Sequence, residues 1–518
     1  MLAKNRLGSS TGLALFAGLL AIFVSGNSPA IAAPCESLAS LSLPNVKITL
    51  AESVAPGAFT PPGAGGIDAA GAPAGAVFGR LPALCRVAAT LTPSSDSDIK
   101  IEIWLPASGW NGKFQAVGNG GWAGFISYNA LAMAVAGGYA TVSTDTGHTG
   151  NTGSFAYGHP EKMIDFAYRS EHEMTVAAKA ILTAFYGRAP ELSYWNGCST
   201  GGRQALVEAQ RYPADFNGII AGAPANNRIH LYAWSISVAQ TVHKEEANYI
   251  PPGKYAMIHK AALDACDALD GLKDGLIGDP TRCHFDPKAL ECKGGDAHSC
   301  LTAAQVETAR KIYSPVNNPR TGQEIYPGLQ PGSELGWAIH AGPEPLSYAT
   351  DGFRYVTFKN PAWDYRTFNL DRDVALADSV DDGITSAMDP NLKNFLGRGG
   401  KLLMYHGWSD PNVSPLNTVH YYENVLKTMG SAAGDSVRLF LFPGMGHCGG
   451  GEGPNSFDAM AAITQWVEKG QAPEQVLASH RVGGAVDRSR RICAYPKAAV
   501  YKGSGSTDDA ANFACPAP

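Results

Sequence analysis

The stretch Asn196-Gly197-Cys198-Ser199-Thr200-Gly201-Gly202 fits the pattern G-x-S-x-G, in which a sharp turn between a strand and a helix exposes a serine nucleophile. Residues 192–195 before it favour a strand, and residues 201–211 after it have helical spacing. The pattern alone is weak evidence in a chain with 59 glycines, and residues 8–12 also match it. The flanking strand and helix predict a nucleophile turn, the alternative being an ordinary glycine-rich turn.

Two cysteines each adjoin a residue with catalytic chemistry. Cys198 precedes Ser199, and Cys448 follows His447 in Gly-Met-Gly-His-Cys-Gly. If the two cysteines form a disulfide, their Cα atoms lie within roughly 7 Å of each other. Ser199 and His447 are then neighbours in space, as a serine hydrolase requires.

A serine nucleophile needs a general base, and the base needs an acid that orients it. In strand–turn–helix hydrolases the chain order is serine, acid, histidine. Residues 401–405 favour a strand, and Asp410 follows it closely. Residues 437–442 favour the next strand, and His447 follows that one. The sequence therefore predicts a triad of Ser199, Asp410 and His447.

The predicted turn also supplies donors for an oxyanion. The Thr200 amide lies at a helix N-terminus, where N–H groups are free and the helix dipole favours negative charge. A second donor is expected from an earlier loop that follows a strand, and Gly120-Gly121 fits because glycine allows close approach of the backbone. We expect Thr200, Gly121 and Gly120 to form the oxyanion hole.

The order of elements predicts an α/β fold with an insertion. With 518 residues the chain is long enough for two domains. Strands alternate with helices up to about residue 225 and resume near residue 387, whereas the stretch between lacks this pattern. We predict a catalytic domain of residues 33–225 and 387–518, interrupted by a lid of residues 226–386. Strands are expected at 100–105, 113–117, 139–143 and 218–221, and helices at 171–186 and 456–469.

The N-terminus is typical of an exported protein. Residues 1–32 have a basic start, an apolar core too short to span a bilayer comfortably, and a small-x-small cleavage site. The alternative is a membrane anchor, and we expect none that is stable. The net charge of −6, without a basic run, argues against nucleic acid as a partner. We expect a secreted or periplasmic protein.

Export permits disulfides, and ten cysteines lie beyond the expected cleavage site. Sequence alone does not fix their connectivity, and free thiols are the alternative. Proximity favours Cys266–Cys283, Cys292–Cys300 and Cys493–Cys515, and Cys35–Cys85 would tie down the mature N-terminus, which leaves Cys198–Cys448.

Together these motifs resemble the tannase and feruloyl esterase family of α/β-hydrolases, which includes hydrolases of mono(2-hydroxyethyl) terephthalate. The similarity rests on Cys-Ser in the turn, His-Gly-x-x-Asp at residues 406–410, His-Cys at 447–448 and the cysteine-bearing tail at 491–515. It implies an α/β-hydrolase fold with a large inserted lid, hydrolysis of aromatic (phenolic acid) esters, such as feruloyl, galloyl or terephthaloyl esters, through an acyl-enzyme, and no organic cofactor. It also implies that His406 lies beside the substrate pocket.

A second motif in the lid resembles a calcium site of the same family. Three aspartates fall within eight residues and alternate with glycines, which suits the oxygen ligands of Ca²⁺. The alternative is a solvated acidic turn. The resemblance implies a structural calcium held by the side chains of Asp267, Asp270 and Asp274 and the carbonyl groups of Leu272 and Leu276.

The lid beyond residue 336 is rich in aromatic residues with interleaved arginines. Arg354, Phe353 and Trp363 are candidates for an aromatic substrate pocket. The alternative for most of these side chains is the lid core.

Two other functions compete with an aromatic esterase. The same machinery would serve a thioesterase or a peptidase, and a degenerate hydrolase fold would leave a catalytically silent, calcium-dependent binding protein. The intact Ser199, Asp410 and His447 favour the enzyme.

Overall fold

The structure is a computed structural model that describes residues 32–62 and 77–516. The predicted signal peptide therefore lies outside the described residues, apart from Ala32 at its end. Within the described parts, no helix is long and apolar enough to cross a membrane.

The strands of the described residues are numbered in chain order. They are β1 Val46–Val54, β2 Leu84–Leu91, β3 Ile99–Pro106, β4 Lys113–Val117, β5 Ala140–Thr144, β6 Leu192–Cys198, β7 Gly218–Gly222, β8 Val316–Asn317, β9 Glu324–Tyr326, β10 Lys401–Gly407, β11 Val437–Phe442, β12 Gln475–Val482, β13 Ala485–Cys493, β14 Val500–Tyr501 and β15 Phe513–Ala514.

The α-helices are numbered in the same way. They are α1 Tyr128–Ala136, α2 Pro160–Ile164, α3 Ser170–Tyr186, α4 Thr200–Arg211, α5 Arg228–Val242, α6 Tyr255–Cys266, α7 Ala303–Tyr313, α8 Ala338–Ala341, α9 Ser347–Asp351, α10 Arg372–Asp381, α11 Lys393–Leu396, α12 Pro415–Met429, α13 Ser431–Gly434 and α14 Ala459–Lys469.

Nine of these strands form one central sheet in the order β1-β2-β3-β5-β4-β6-β7-β10-β11. Pairing is parallel from β5 to β11 and antiparallel among β1, β2, β3 and β5. Every residue of β5 and β7 is buried, as expected of parallel strands covered on both faces by helices. The predicted α/β architecture is confirmed.

This topology brings the predicted triad to one edge of the sheet. Because β6, β10 and β11 run parallel, their carboxyl ends lie at the same edge. Ser199 follows β6, Asp410 follows β10 and His447 follows β11. Residues that are far apart in the chain therefore meet in one loop region.

The chain between β7 and β10 forms a layer of helices above this edge. Helices α5, α6 and α7 pack with later lid segments around buried Trp234 and Trp337. The same apolar cluster includes Trp122 and Phe166 from the part of the chain before β6, so the lid and the catalytic part share one core. The proposed domain boundaries at residues 226 and 386 remain a prediction; the structure begins α5 at Arg228 and ends α10 at Asp381.

All ten cysteines are paired, and the pairs are those that the sequence favoured. They are Cys35–Cys85, Cys198–Cys448, Cys266–Cys283, Cys292–Cys300 and Cys493–Cys515.

The sequence-based elements differ from the structure in two ways. The strands at 113–117 and 437–442 have the expected bounds, but the helix expected from residue 456 begins at Ala459, where the Asp458 side chain accepts a hydrogen bond from Ala461 N and caps it. The strands β1 and β2 at one end of the sheet and the helices α1 and α12 were not predicted. In β1 no residue is fully buried and residues 50–52 are all partly buried, so its period-two signal is weak.

Candidate active site

The serine turn is built from close backbone contacts. Ser199 has φ 62° and ψ −121°, a left-handed backbone conformation that is strained for a residue with a side chain. Its N–H donates to the Gly222 carbonyl at 3.0 Å, and its carbonyl accepts from Arg203 N at 3.0 Å. A Cβ atom at Gly197 would come within 2.4 Å of the Gly201 carbonyl oxygen, so glycine is required there.

The Cys198–Cys448 disulfide joins this turn to the loop that carries His447. The two Cα atoms are 5.9 Å apart across a sequence separation of 250 residues. Cys448 itself has φ 63°. The described residues contain no hydrogen bond between Ser199 Oγ and His447, a contact that often forms only when substrate is bound.

Asp410 contacts His447 as the predicted acid should. The carboxylate is fully buried, and its Oδ2 lies 2.6 Å from His447 Nδ1. Its Oδ1 accepts hydrogen bonds from the amides of Asn412 at 2.7 Å and Val413 at 3.0 Å. Burial alone would raise the pKa of Asp410, but the charge and hydrogen bonds of His447 and His406 outweigh it and hold the pKa well below its usual range. The acid is therefore an anion that fixes the imidazole.

His406 lies behind Asp410 and not at a pocket surface. Its ring is fully buried, and Nε2 lies 2.9 Å from Asp410 Oδ2 and 3.1 Å from the Val413 carbonyl oxygen. Because Nε2 faces two acceptors it must carry a proton, and Nδ1 lies 2.8 Å from Thr418 Oγ1. His406 is thus a donor to the acid, in a place that differs from the expected one beside the substrate.

A lid histidine supports the same loop. His340 in α8 lies 3.0 Å from the Asn412 carbonyl oxygen through Nε2 and 2.9 Å from Ser235 Oγ through Nδ1. Burial lowers the pKa of His340 to about 4, so the ring is neutral at ordinary pH. No sequence pattern indicated this contact, because His340 is one of 13 histidines and lies 72 residues from its partner.

The expected oxyanion residues meet beside Ser199. Thr200 is the first residue of α4, and its Oγ1 donates to the Gly121 carbonyl at 2.7 Å. Gly121 has φ 59°, and the Gly120 carbonyl accepts from Ala123 N at 2.9 Å in a tight turn. The amides of Thr200 and Gly121 donate to no protein acceptor in the described residues, so they are available to a ligand.

The lid candidates for the substrate pocket lie in other surroundings. Phe353 and Trp363 are buried in the lid core, with ring centroids 5.7 Å apart, and Phe358 packs against both. Arg354 is partly buried, and its Nε has no hydrogen-bond partner in the described part of the chain. For Phe353 and Trp363 the structure matches the lid-core alternative.

A cavity of about 260 Å³ lies between the lid and the catalytic loops. His447 and Ser409 line it on one side and Leu335 on the other. A larger cavity of about 470 Å³ is lined by Glu102 and Tyr128 and includes no triad residue. Only the smaller of these two cavities touches the predicted chemistry.

The aspartates of the expected calcium loop lie in one turn. Burial and the charges of Asp274 and Asp267 raise the pKa of Asp270, and Arg490 binds Asp274 at 2.6 Å. The all-oxygen donor set suits calcium chemically. Across residues 32–62 and 77–516, however, no group of three or more His, Cys, Asp or Glu side chains is arranged to hold a metal ion. The carboxylates accept from backbone amides: Asp267 from Asp274 and Gly275, Asp270 from Leu272, and Asp274 from Leu276.

Comparison with known proteins gives consistent matches. A family model described as "Tannase and feruloyl esterase" matches residues 85–516. The chain is 38% identical over 537 residues to an uncharacterised esterase of Xanthomonas campestris pv. campestris, which covers 93% of this chain and 91% of that protein. It is also 38% identical over 456 residues to "Probable feruloyl esterase B-2" of Neosartorya fischeri, covering 83% of this chain and 86% of that protein.

A solved structure agrees with the sequence matches. The crystal structure of feruloyl esterase B from Aspergillus oryzae has a TM-score of 0.86 and 35% sequence identity, and covers 93% of this chain and 99% of that chain. The expected α/β-hydrolase fold is confirmed by this match.

Replacing His406 with phenylalanine should weaken the Asp410 anchor. The substitution removes one donor to a buried carboxylate, so we expect the free energy of unfolding to fall by about 1.5–3 kcal/mol. The Asp410 pKa should rise. A carboxyl group whose pKa is lowered by folding stabilises the folded state, and this contribution is lost as the pH falls through the folded-state pKa. The midpoint of acid unfolding should therefore move to higher pH in the variant. Denaturant and acid titrations followed by circular dichroism measure both effects.

The exposed His420 provides the control. His420→Phe should change neither the unfolding free energy nor the acid midpoint, because its side chain is about half exposed and, among the described residues, pairs only with Glu324, at 3.7 Å. Equal behaviour of the two variants would contradict the role given to His406.

Removing the disulfide beside the serine should lower kcat as well as stability. Cys198→Ala/Cys448→Ala opens a loop of 250 residues, worth about 5 kcal/mol in the chain-entropy model, and frees the His447 loop from the serine turn. The matched control is Cys292→Ala/Cys300→Ala, which opens a loop of 8 residues worth about 2–3 kcal/mol and should leave kcat unchanged. Thermal melts and steady-state turnover of an aryl ester separate the two effects. An unchanged kcat in the first variant would make the bridge a stabilising crosslink only.

Proposed function

Since this chain belongs to the tannase and feruloyl esterase family and is a carboxylic ester hydrolase, we propose that it cleaves esters of aromatic acids with Ser199 as the nucleophile. The observation that carries this proposal is the Asp410–His447 contact of 2.6 Å, joined to the strained Ser199 turn by the Cys198–Cys448 bridge. This contact and this link support the proposal, because acyl transfer needs a nucleophile close to a base that an acid orients.

Acylation proceeds from these groups. Ser199 Oγ attacks the ester carbonyl carbon while His447 Nε2 takes the hydroxyl proton, and Asp410 stabilises the imidazolium through Nδ1. The carbonyl oxygen becomes an oxyanion that accepts from the amides of Thr200 and Gly121. The tetrahedral intermediate collapses, the C–O bond to the alcohol breaks, and His447 returns the proton to the leaving alkoxide.

Deacylation repeats the sequence with water. His447 takes a proton from a water molecule, whose oxygen attacks the acyl carbon. The Ser199 ester bond breaks, Ser199 regains its proton from His447, and the carboxylic acid leaves.

The substrate class follows from the relatives and the lid. Two of the similar proteins described above are named feruloyl esterase, a name that specifies an ester of a phenolic acid. The lid contributes the apolar side chains of Leu263, Ile277 and Leu335 to the cavity beside His447, which suits a planar acyl group. We propose feruloyl, galloyl or terephthaloyl esters as substrates, small molecules in each case.

Export is part of the same proposal. Five disulfides with no free cysteine in the described chain are typical of an oxidising compartment. We propose a periplasmic or extracellular enzyme that is released by cleavage of the predicted signal peptide.

A structural calcium ion in the lid also remains a proposal. Asp267, Asp270 and Asp274 would hold it with backbone carbonyls of the same turn, and the ion would offset the mutual repulsion of the three carboxylates. Its role is to stabilise the lid, and it takes no part in the ester chemistry.

Replacement of Ser199 by alanine should abolish turnover without unfolding the protein. The nucleophile is removed, so we expect kcat to fall by roughly 10⁴-fold or more while the melting temperature stays close to that of the wild type. The wild-type protein should react with a fluorophosphonate probe at Ser199, and the variant should not. Full activity of Ser199→Ala would exclude the proposed mechanism.

The substrate class is tested by comparing substrates with the same purified wild-type protein. Methyl ferulate, methyl gallate and mono(2-hydroxyethyl) terephthalate are compared with the corresponding amides and thioesters, by the release of the acid. Preference for one oxygen ester supports the proposal and names the acyl group. Preference for an amide or a thioester would assign the machinery to a peptidase or a thioesterase, and failure of the probe to label Ser199 would favour a silent binding protein.

Chelation should test the calcium site. EDTA is expected to lower the melting temperature, because the three aspartates then repel one another, and added Ca²⁺ should restore it. The matched control is Asp270→Asn, whose melting temperature should be lower than that of the wild type and insensitive to EDTA. A wild-type melting temperature that EDTA leaves unchanged would remove the site.

A further inference from the structure

The loop that supplies the second oxyanion donor is held in place by two adjacent peptide groups. In the peptide between Gly120 and Gly121, the Gly120 carbonyl accepts from Ala123 N at 2.9 Å. The N–H of the same peptide, that of Gly121, has no protein acceptor in the described residues. In the next peptide, the Gly121 carbonyl accepts from Thr200 Oγ1 at 2.7 Å and the Trp122 N–H donates to Asn151 Oδ1 at 2.7 Å. The direction of the free Gly121 N–H therefore depends on the two hydrogen bonds of the second peptide, one at the Gly121 carbonyl and one at the Trp122 N–H.

One of those two hydrogen bonds is fixed from the lid. Asn151 Nδ2 donates to Tyr348 Oη at 2.6 Å, and Tyr348 lies in α9 of the lid. This bond orients the Asn151 amide with its oxygen toward Trp122 N. A Cβ atom at Gly121 would come within 2.4 Å of Asn151 Oδ1 and 2.8 Å of Tyr348 Oη, so both polar groups pack directly on the backbone of the oxyanion loop.

Helix α9 docks on this region at a second point. The Asp351 carboxylate accepts from Gly153 N at 2.9 Å, and Tyr348 and Asp351, three residues apart, lie on the same face of the helix. The segment before Gly153 is tied to the oxyanion loop by two backbone bonds between Gly124 and Gly150, at 3.0 and 2.9 Å. The lid helix, residues 150–153 and the oxyanion loop thus form one connected unit.

A cation–π contact adds another link between the lid and the oxyanion loop. The Arg228 guanidinium carbon lies 4.1 Å from the Trp122 ring centroid, and Arg228 is almost wholly buried at the start of α5. Trp122 is therefore held through its ring by one lid helix and, through Asn151, by another.

We propose that Asn151 and Tyr348 are positioning residues for the oxyanion hole, through which the lid sets the direction of the Gly121 N–H. The inference rests on the proposed function, because it assigns a role within the ester hydrolysis of Ser199. Asn151 acts through the Trp122 amide and Tyr348 acts through Asn151, so the two side chains work in series. A donor that is misdirected stabilises the oxyanion less, while ground-state binding of the ester is unaffected.

The variants separate hydrogen bonding from shape. Asn151→Leu keeps the size of the side chain and removes its acceptor and its donor. Tyr348→Phe removes only the hydroxyl. Tyr157→Phe is the control, since Tyr157 is 46% exposed and its hydroxyl makes no hydrogen bond in the described residues.

The expected result is a loss in kcat with KM nearly unchanged. Complete removal of an oxyanion donor costs about 10²–10³ in kcat, so misdirection in Asn151→Leu should cost roughly 10-fold or more, and Tyr348→Phe several-fold. Tyr157→Phe should stay close to the wild type. The double variant Asn151→Leu/Tyr348→Phe should be no slower than Asn151→Leu alone, because the two groups act in series.

A transition-state mimic distinguishes this role from a structural one. With an aryl trifluoromethyl ketone, Ser199 Oγ adds to the carbonyl carbon, its proton passes to His447, and the carbonyl oxygen becomes an oxyanion in the same hole. Its inhibition constant should rise across the variants in proportion to the fall in kcat/KM, while inhibition by the product acid stays constant.

Two outcomes overturn the inference in different ways. A wild-type enzyme that hydrolyses its ester, with Asn151→Leu and Tyr348→Phe both retaining kcat within about twofold, refutes the positioning role and leaves the proposed function standing. A wild-type protein that hydrolyses none of the esters refutes the proposed function and this inference with it.

Discussion

A single buried carboxylate organises the catalytic edge of this protein. Asp410 accepts four hydrogen bonds, from His447, His406 and the amides of Asn412 and Val413. A buried anion is costly unless its lone pairs are satisfied, so the loop after β10 must close around the carboxylate. That closure sets the position of the His447 ring, and it buries a second histidine, His406, which donates to the acid and to the Val413 carbonyl.

The lid contacts each of the three loops that carry the chemistry. His340 reaches the acid loop at the Asn412 carbonyl, and Tyr348 reaches the oxyanion loop through Asn151. On the base loop, Glu452 lies 2.7 Å from His259 Nε2, and His259 Nδ1 lies 2.7 Å from buried Glu334. Burial alone would lower the pKa of His259, but the two carboxylates outweigh it and raise the pKa, so this link is strongest when the imidazole is charged. The lid therefore holds the catalytic loops in place as well as covering them.

The sequence predicted the parts of the site that depend on local pattern. Strand periodicity and chain order located Ser199, Asp410 and His447, and the paired cysteines indicated that two distant loops meet. It did not predict the position of His406, because burial behind the acid depends on Thr418 and Val413 folding back over β10. It missed Asn151 for a similar reason: its partner Tyr348 is 197 residues away, and an asparagine in a glycine-rich loop has no distinctive signature. The domain limits and the calcium ligands stay predictions.

Backbone strain explains why the bridge lies where it does. Ser199 and Cys448 both have positive φ, 62° and 63°, and such conformations persist only when surrounding contacts hold them. The serine turn has those contacts, in the carbonyl of Gly222, the amide of Arg203 and glycines that allow close packing. The His447 loop continues into Gly449-Gly450-Gly451, which has no side chains to pack, and is closed by backbone bonds from Gly446 N to the Gly450 carbonyl and from Gly453 N to the Gly444 carbonyl, both at 3.0 Å. The disulfide therefore adds a covalent link from the serine turn to this loop, and Cys198 is the residue through which the turn helps to hold His447 in place.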